Sequence, residues 1–78
     1  MTVEVTVYSK ADCIQCKMTK TWLETAEVQF TEINVEEKPE SIEQLKLHGF
    51  SSLPVVAINS LDNAWAGFRP ERLKDLIS

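Results

Sequence analysis

The stretch VEVTVYSKADCIQC, residues 3–16, decides the fold. From Val3 to Tyr8 its valines alternate with polar or aromatic residues, which predicts a strand. Residues 9–12 have the composition of a turn, and Cys13 follows them directly. A pair of cysteines, Cys13 and Cys16, therefore stands where the first strand turns into the next element.

The segment from Ile14 to about Ala26 predicts an amphipathic helix. Its apolar residues recur three and four positions apart, and charged residues lie outside this stripe. The apolar stripe consists of Met18, Trp22, Leu23 and Ala26. We expect the stripe to pack on the core, which places Cys13 at the N-terminal end of the helix.

The next segment predicts a strand and a second helix. Residues 28–35 are rich in β-branched and aromatic side chains, which favour a strand. Pro39 suits the first turn of a helix, and Gly49 suits its C-terminal cap. The apolar residues expected inside this helix are Ile42, Leu45 and Leu47.

The C-terminal third predicts a β-hairpin and a last helix. Residues 53–58 form a short apolar run typical of a central strand, in which Pro54 is tolerated only at the first position. A turn at residues 59–63 leads to a brief strand at 64–66. The last helix shows one apolar face, made by Leu73, Leu76 and Ile77.

These elements give the order βαβαββα in one α/β domain spanning residues 1–78. The first β-α-β unit requires two parallel strands with a right-handed crossover, and the hairpin adds antiparallel strands. We therefore expect a four-stranded mixed sheet flanked by three helices. A chain of 78 residues has a thin core, and its hydrophobic content of 44% is enough to build it.

Composition narrows the classes of partner and the compartment. The net charge is −4, which disfavours nucleic acid and anionic membranes as partners. No apolar run approaches the roughly 20 residues of a membrane span, and the first residues lack the pattern of a secretory signal. We expect a cytoplasmic monomer in which the two cysteines stay reducible.

The charge is unevenly distributed along the sequence. Seven acidic residues lie between Glu24 and Glu43, where Lys38 is the only basic residue. Around the cysteines the balance is reversed, since Asp12 alone faces three lysines, Lys10, Lys17 and Lys20. The cysteine pair therefore lies in a locally basic part of an acidic protein.

The pair Cys13-Ile14-Gln15-Cys16 carries the chemistry. Cysteines one helical turn apart bring their Cα atoms to roughly 5 to 6 Å, the range that a disulfide requires. The helix N-terminus and the charges of Lys10 and Lys17 favour the Cys13 thiolate. These features predict thiol-disulfide exchange without a cofactor, with Cys13 attacking and Cys16 resolving the mixed disulfide.

Other interpretations of the cysteines stay open at this point. The pair can be an inert disulfide, or two thiols that pack as small apolar groups. A zinc site needs four ligands, and His48 is the only histidine, so such a site requires a dimer. A redox-inert module that binds peptides near Pro54 and Trp65 is a further alternative.

Several segments together resemble the glutaredoxin-like branch of the thioredoxin superfamily, and within it the NrdH-redoxins. The resemblance covers nearly the whole chain and includes the thioredoxin/glutaredoxin fold. Ala66 departs from it, because a serine is common at this position, and a hydrogen bond from that hydroxyl is absent here. The segments are Tyr8, Cys13-Ile14-Gln15-Cys16, Gly49-Phe50, Leu53-Pro54-Val55-Val56 and Trp65-Ala66-Gly67-Phe68-Arg69-Pro70.

The resemblance implies an electron carrier, reduced by thioredoxin reductase, that reduces class Ib ribonucleotide reductase. It also implies a cis peptide bond at Pro54, whereas the sequence alone shows only a proline that opens an apolar strand, for which an ordinary trans proline is the alternative. Partner contacts are implied for Gln15, Leu53, Pro54, Trp65, Gly67, Phe68, Arg69 and Pro70.

The same-class alternative is a glutathione-dependent glutaredoxin. Such proteins usually carry a C-P-Y-C site and paired glycines followed by aspartate, and neither is present here. Phe68 and Pro70 occupy the corresponding segment, where bulk and a missing amide disfavour an anionic tripeptide. Core packing of Trp65 and Phe68 and a solvated Arg69 are the non-functional interpretations of these residues.

Overall fold

A four-stranded mixed sheet forms the centre of the protein, and three helices flank it. The computed structural model describes residues 3–77. The predicted order βαβαββα is confirmed, and a 3-10 turn at Lys74–Leu76 follows the last helix. The elements are β1 (Val5–Ser9), α1 (Ile14–Thr25), β2 (Thr31–Asn34), α2 (Glu40–Leu47), β3 (Val55–Ile58), β4 (Ser60–Ala66) and α3 (Pro70–Leu73).

The sheet has the strand order β2-β1-β3-β4. Strand β1 is parallel to β2 and antiparallel to β3, and β3 is antiparallel to β4. Tyr8 lies opposite Val55, and Val55 lies opposite Ala66. The loop after β1, the residues before β3 and the residues after β4 therefore meet at one edge of the sheet.

Two apolar clusters lie on opposite faces of the sheet, because successive strand residues point to alternate sides. On one face Val7 and Val56 pack with Leu23 of α1 and Leu73 of α3. On the other face the side chains come from the sheet, the segment after β2, and α2; they are Tyr8, Val35, Leu45, Val55 and Ala57.

Within residues 3–77, no helix combines the length and the apolar composition that a membrane span requires.

The buried face of α1 differs from the predicted stripe. Cys16, Thr19 and Leu23 are buried, whereas Met18 is 45% exposed. Thr19 can occupy a buried position because its hydroxyl donates a hydrogen bond of 2.8 Å to the carbonyl oxygen of Gln15. The helix is therefore rotated relative to the prediction, and part of the apolar stripe lies at the surface.

The strand boundaries also differ from those predicted. Strand β2 forms only over Thr31–Asn34, and β4 begins at Ser60. The predicted turn at residues 59–63 is reduced to Asn59, whose φ of 69° reverses the chain at once. Asparagine tolerates this conformation, and its side chain accepts a hydrogen bond from the backbone of Glu4.

The cap of α2 is formed as predicted. Gly49 has a φ of +85°, and its N–H donates to the carbonyl of Lys46, while the N–H of Phe50 donates to that of Leu45. These two bonds make a Schellman motif. The prediction that Leu47 faces inward is wrong, since this residue is 85% exposed.

The last helix is shorter than the apolar pattern indicates. Helix α3 ends at Leu73, which is fully buried, and the chain continues as the 3-10 turn. The different rise of the 3-10 turn breaks the common face predicted for Leu73, Leu76 and Ile77, and Ile77 is exposed.

An ion pair ties α1 to β2 near the cysteines. The ammonium of Lys20 lies 2.8 Å from a carboxylate oxygen of Glu32, and the hydroxyl of Ser9 donates to the same oxygen at 2.6 Å. Chiefly the hydrogen bond from Lys20, and then that from Ser9, lower the pKa of Glu32 below its usual value of 4.5.

We expect Glu32→Gln to reduce the free energy of unfolding by less than about 1 kcal/mol at neutral pH, because both charged groups are partly exposed. A lowered folded-state pKa stabilises the fold above the unfolded-state pKa, and this contribution is lost as pH falls through the folded-state value. Urea unfolding of the wild type and variant should therefore differ at neutral pH and converge in acid.

The control is Glu24→Gln, which changes an exposed carboxylate of α1 and should match the wild type at both pH values. A deficit of Glu32→Gln that is equally large in acid and at neutral pH would contradict the electrostatic origin of the stabilisation.

Candidate functional site

The cysteine pair forms a disulfide at the start of α1. The Cα atoms of Cys13 and Cys16 are 5.2 Å apart, within the predicted range. Cys13 is the N-cap residue with extended backbone, and its sulfur accepts a hydrogen bond of 3.2 Å from the N–H of Cys16. Cys16 is only 1% exposed, whereas Cys13 is partly exposed. The two sulfurs therefore have different access to a partner.

A basic depression of about 550 Å³ surrounds Cys13. It contains both lysines predicted to act on the thiolate, Lys10 and Lys17, together with Lys20 and one carboxylate, Asp12. Lys20 is paired with Glu32, so Lys10 and Lys17 supply the excess positive charge. We name this surface, lined by these four charged residues and Cys13, the basic depression.

Pro54 lies at the same edge of the sheet as the dithiol. The Leu53-Pro54 bond is cis, as the family resemblance implied. Pro54 is buried, and its carbonyl oxygen accepts a hydrogen bond of 2.7 Å from the N–H of Gly67. This bond ties the residues before β3 to those after β4.

Gln15 connects the active-site helix to the segment after β4. Its side-chain oxygen accepts a hydrogen bond of 3.1 Å from the N–H of Phe68, 53 residues further along the chain. Gly67 has a φ of +91°, and a Cβ at this position would lie 3.4 Å from that oxygen. A glycine therefore suits both the backbone conformation and the close approach of Gln15.

Trp65, for which the resemblance implies a partner contact, is buried in the structure. It is 6% exposed and packs in the core, and the guanidinium of Arg72 lies 4.8 Å from the centre of its ring. The segment Trp65–Pro70 thus presents Phe68 and Arg69 rather than the indole. Trp65 still belongs to β4 and faces the core, whereas Phe68 and Arg69 follow the end of that strand, a boundary that the sequence pattern did not show.

Arg69 and Pro70 join β4 to the last helix. Arg69 is exposed, and its Nε donates to the carbonyl oxygen of Ala66 at 3.2 Å. Because a backbone oxygen accepts this bond, it does not need a hydroxyl at position 66. Pro70 is the first residue of α3, where a missing N–H costs no helical hydrogen bond.

An apolar groove of about 540 Å³ lies beside the basic depression. Met18 and Trp22 of α1 line it together with Ala26, which caps the helix, and Phe68. Lys17 lines both surfaces. We name this surface the apolar groove. The sequence prediction missed it because the spacing of Met18 and Trp22 indicated core positions.

The described residues, 3–77, contain no group of three or more His, Cys, Asp or Glu side chains that could hold a metal ion. His48 caps the C-terminal end of α2, with its Nδ1 at 3.0 Å from the carbonyl oxygen of Gln44.

Comparison with known proteins identifies the family. Residues 5–61 match the glutaredoxin family. The glutaredoxin-like protein NrdH of Lactococcus lactis subsp. cremoris is 49% identical over 72 residues, which are 92% of this chain and 97% of that protein. NrdH of Escherichia coli K12 is 40% identical over 74 residues, 95% of this chain and 89% of that protein.

A solved structure supports the same assignment. NrdH-redoxin from Escherichia coli, described as a glutaredoxin-like protein with a thioredoxin-like activity profile, matches with a TM-score of 0.86 and 41% identity. The match covers 94% of this chain and 93% of that one. The chain therefore belongs to the glutaredoxin family, among the NrdH glutaredoxin-like proteins, and is a thiol-disulfide oxidoreductase with Cys13 and Cys16 as its redox-active pair.

Proposed function

We propose that this protein carries electrons from thioredoxin reductase to a protein disulfide, and that the acceptor is class Ib ribonucleotide reductase. The observation that carries the choice of electron donor is the state of the amides beside the dithiol. The N–H of Gly67 is bonded to Pro54, that of Phe68 is bonded to Gln15, and Pro70 has none. An anionic tripeptide such as glutathione finds few donors in this segment.

Similarity supports the same choice. The relative from Escherichia coli has a thioredoxin-like activity profile, and this chain matches it along nearly its full length. The apolar groove gives a reductase a contact surface that Lys17 joins to the basic depression around Cys13. Apolar surface next to the reacting sulfur is typical of the centre of a protein interface.

The exchange proceeds in two displacements. In the first, the Cys13 thiolate attacks a sulfur of the acceptor disulfide, forms a mixed disulfide and releases the other acceptor sulfur as a thiolate that takes a proton. In the second, the Cys16 thiolate attacks the Cys13 sulfur, restores the intramolecular disulfide and releases the second acceptor thiol. Two electrons pass to the acceptor, and the NADPH-dependent flavoprotein reductase returns two through its own dithiol.

Exposure and hydrogen bonding determine the order of attack. Cys13 is at the N-cap, where the N–H of Cys16 and the start of the helix stabilise negative charge on its sulfur. Cys16 is buried, so an external disulfide does not reach it while the fold is intact. Cys16 reacts once the mixed disulfide presents the Cys13 sulfur beside it.

Leu53 and Pro54 are proposed to hold the acceptor backbone. The register of β1 and β3 places them next to the loop that ends in Cys13. A peptide segment lying along this edge brings its own cysteine to the basic depression. Gln15 is proposed as a positioning residue, because its bond to Phe68 holds the wall of the apolar groove against the active-site helix.

We expect Cys13→Ser to abolish disulfide reduction, and Cys16→Ser to retain attack but accumulate mixed disulfides, because only the second thiol releases the acceptor. Mass spectrometry of adducts trapped with one oxidised protein substrate measures both outcomes. Adducts that form through Cys16 in the Cys13 variant as fast as the reverse would show that the assigned roles are wrong.

The test of the proposed donor compares two reducing systems on the same disulfide substrate. We expect a much higher kcat/KM for the substrate when electrons come from NADPH and thioredoxin reductase than when they come from glutathione and glutathione reductase. Phe68→Ala should raise the KM of thioredoxin reductase for this protein several-fold, because the substitution removes apolar contact area from the groove.

The matched control is Leu47→Ala, which removes an exposed apolar side chain from α2, on the opposite face of the sheet. This variant should leave the KM of thioredoxin reductase for the protein unchanged. Glutathione turnover that equals or exceeds turnover with the reductase would replace the proposal with the glutathione-dependent alternative.

A further inference from the structure

The loop that leads into Cys13 is held by the segment that follows β2. The N–H of Val35 donates to the carbonyl oxygen of Ser9 at 2.9 Å. One residue further along that segment, a side-chain oxygen of Glu36 accepts a hydrogen bond of 3.0 Å from the N–H of Ala11. These two bonds follow each other along the loop, so together they direct the chain as it leaves β1.

The next residue of the loop has an uncommon backbone conformation. Asp12 has a φ of 55°, in the left-handed region that side chains other than glycine seldom adopt, although aspartate adopts it more readily than most. Such a conformation persists where neighbouring contacts hold it. The bond from the Ala11 N–H to Glu36 lies immediately before Asp12, and Cys13 follows directly. Glu36 therefore bears on the direction in which the chain enters α1.

The two cysteines differ in how firmly the helix holds them. Cys16 lies in the first turn of α1 and is 1% exposed, so packing and the helix fix its position. Cys13 is the N-cap, with an extended φ of −116° and ψ of 106°. Its carbonyl oxygen accepts the N–H of Lys17, whereas its N-terminal side continues into the loop. The position of Cys13 relative to Cys16 therefore depends on the loop as well as on the helix.

We propose that Glu36 is a positioning residue for thiol-disulfide exchange: by accepting the Ala11 N–H, it holds the loop so that the Cys13 sulfur stays within reach of Cys16. The step that depends on this is the second displacement, which closes the ring. The Cys16 thiolate forms a bond to the Cys13 sulfur, the bond from Cys13 to the partner sulfur breaks, and the partner leaves as a thiolate that takes up a proton. Correct geometry between two groups of one molecule raises the rate of their reaction.

The negative charge of Glu36 has a separate effect that the test must distinguish from the hydrogen bond. Lys10 and Lys46 line one cleft together with Glu36. Removing the carboxylate makes the surroundings of the Cys13 thiolate more positive, which lowers the pKa of the thiol and acts on the first displacement. Loosening the loop acts on ring closure instead. The charged groups of the basic depression are the same in every variant below.

The test mixes chemically reduced protein with an excess of dipyridyl disulfide, a small neutral probe whose released thione absorbs in the ultraviolet. The first attack depends on the probe concentration, whereas ring closure releases a second thione at a rate that does not. We expect Glu36→Ala to slow ring closure about fivefold, which is the order of magnitude for losing one exposed hydrogen bond. Glu36→Gln keeps an oxygen that can accept the Ala11 N–H, so its ring closure should stay within about twofold of the wild-type rate.

The same reactions followed against pH give the pKa of the Cys13 thiol. We expect a small and equal fall in this pKa in both Glu36 variants, because each removes the same negative charge. The matched control is Glu37→Ala, which removes an exposed carboxylate at the next position and should leave the ring-closure rate unchanged. Different ring-closure rates in two variants with the same thiol pKa identify the hydrogen bond as the cause.

Ring closure in Glu36→Ala at the wild-type rate would overturn the inference. Ring closure that is as slow in Glu36→Gln as in Glu36→Ala would also overturn it, since the charge rather than the hydrogen bond would then be responsible. Both outcomes leave the proposed electron donor and acceptor untouched, because no reductase or acceptor protein takes part in the reaction.

Discussion

The antiparallel pairing of β3 with both β1 and β4 is the constraint on which the site depends. Because Val55 lies opposite both Tyr8 and Ala66, the residues before β3 stand between the loop after β1 and the residues after β4. Three segments that are far apart in sequence thereby surround one dithiol. The side chains of β1 help to hold this register, since Val5 and Val7 lie in one apolar cluster and Tyr8 in the other, and a shift by one residue would exchange their faces.

Two hydrogen bonds outside the sheet also hold the segments around the dithiol together. The bond from Gly67 to Pro54 joins the ends of β3 and β4, and the bond from Phe68 to Gln15 joins the latter to α1. They also use the amides that an anionic ligand would otherwise bind. The same contacts therefore hold together the segments that surround the dithiol.

The sequence predicted those features that local chemistry determines. The order of elements, the position of Cys13 at a helix start and the Gly49 cap follow from periodicity, cysteine spacing and turn residues. It did not predict which of two adjacent positions on α1 faces the core, because Thr19 satisfies its hydroxyl within the helix and competes with apolar Met18. Nor did it predict the contact of Gln15 with Phe68, because no local pattern relates residues 53 positions apart.

The central claim is that the N-terminal position of Cys13 on α1, aided by nearby lysines, makes its sulfur the attacking thiolate. The most direct measurement is the pKa of the single thiol in reduced Cys16→Ser protein, followed by ultraviolet thiolate absorbance against pH. We expect a pKa below the value of about 8.5 of a free cysteine, and a higher pKa when Lys10→Glu is added to the same protein. A value at or above that of a free cysteine would contradict it.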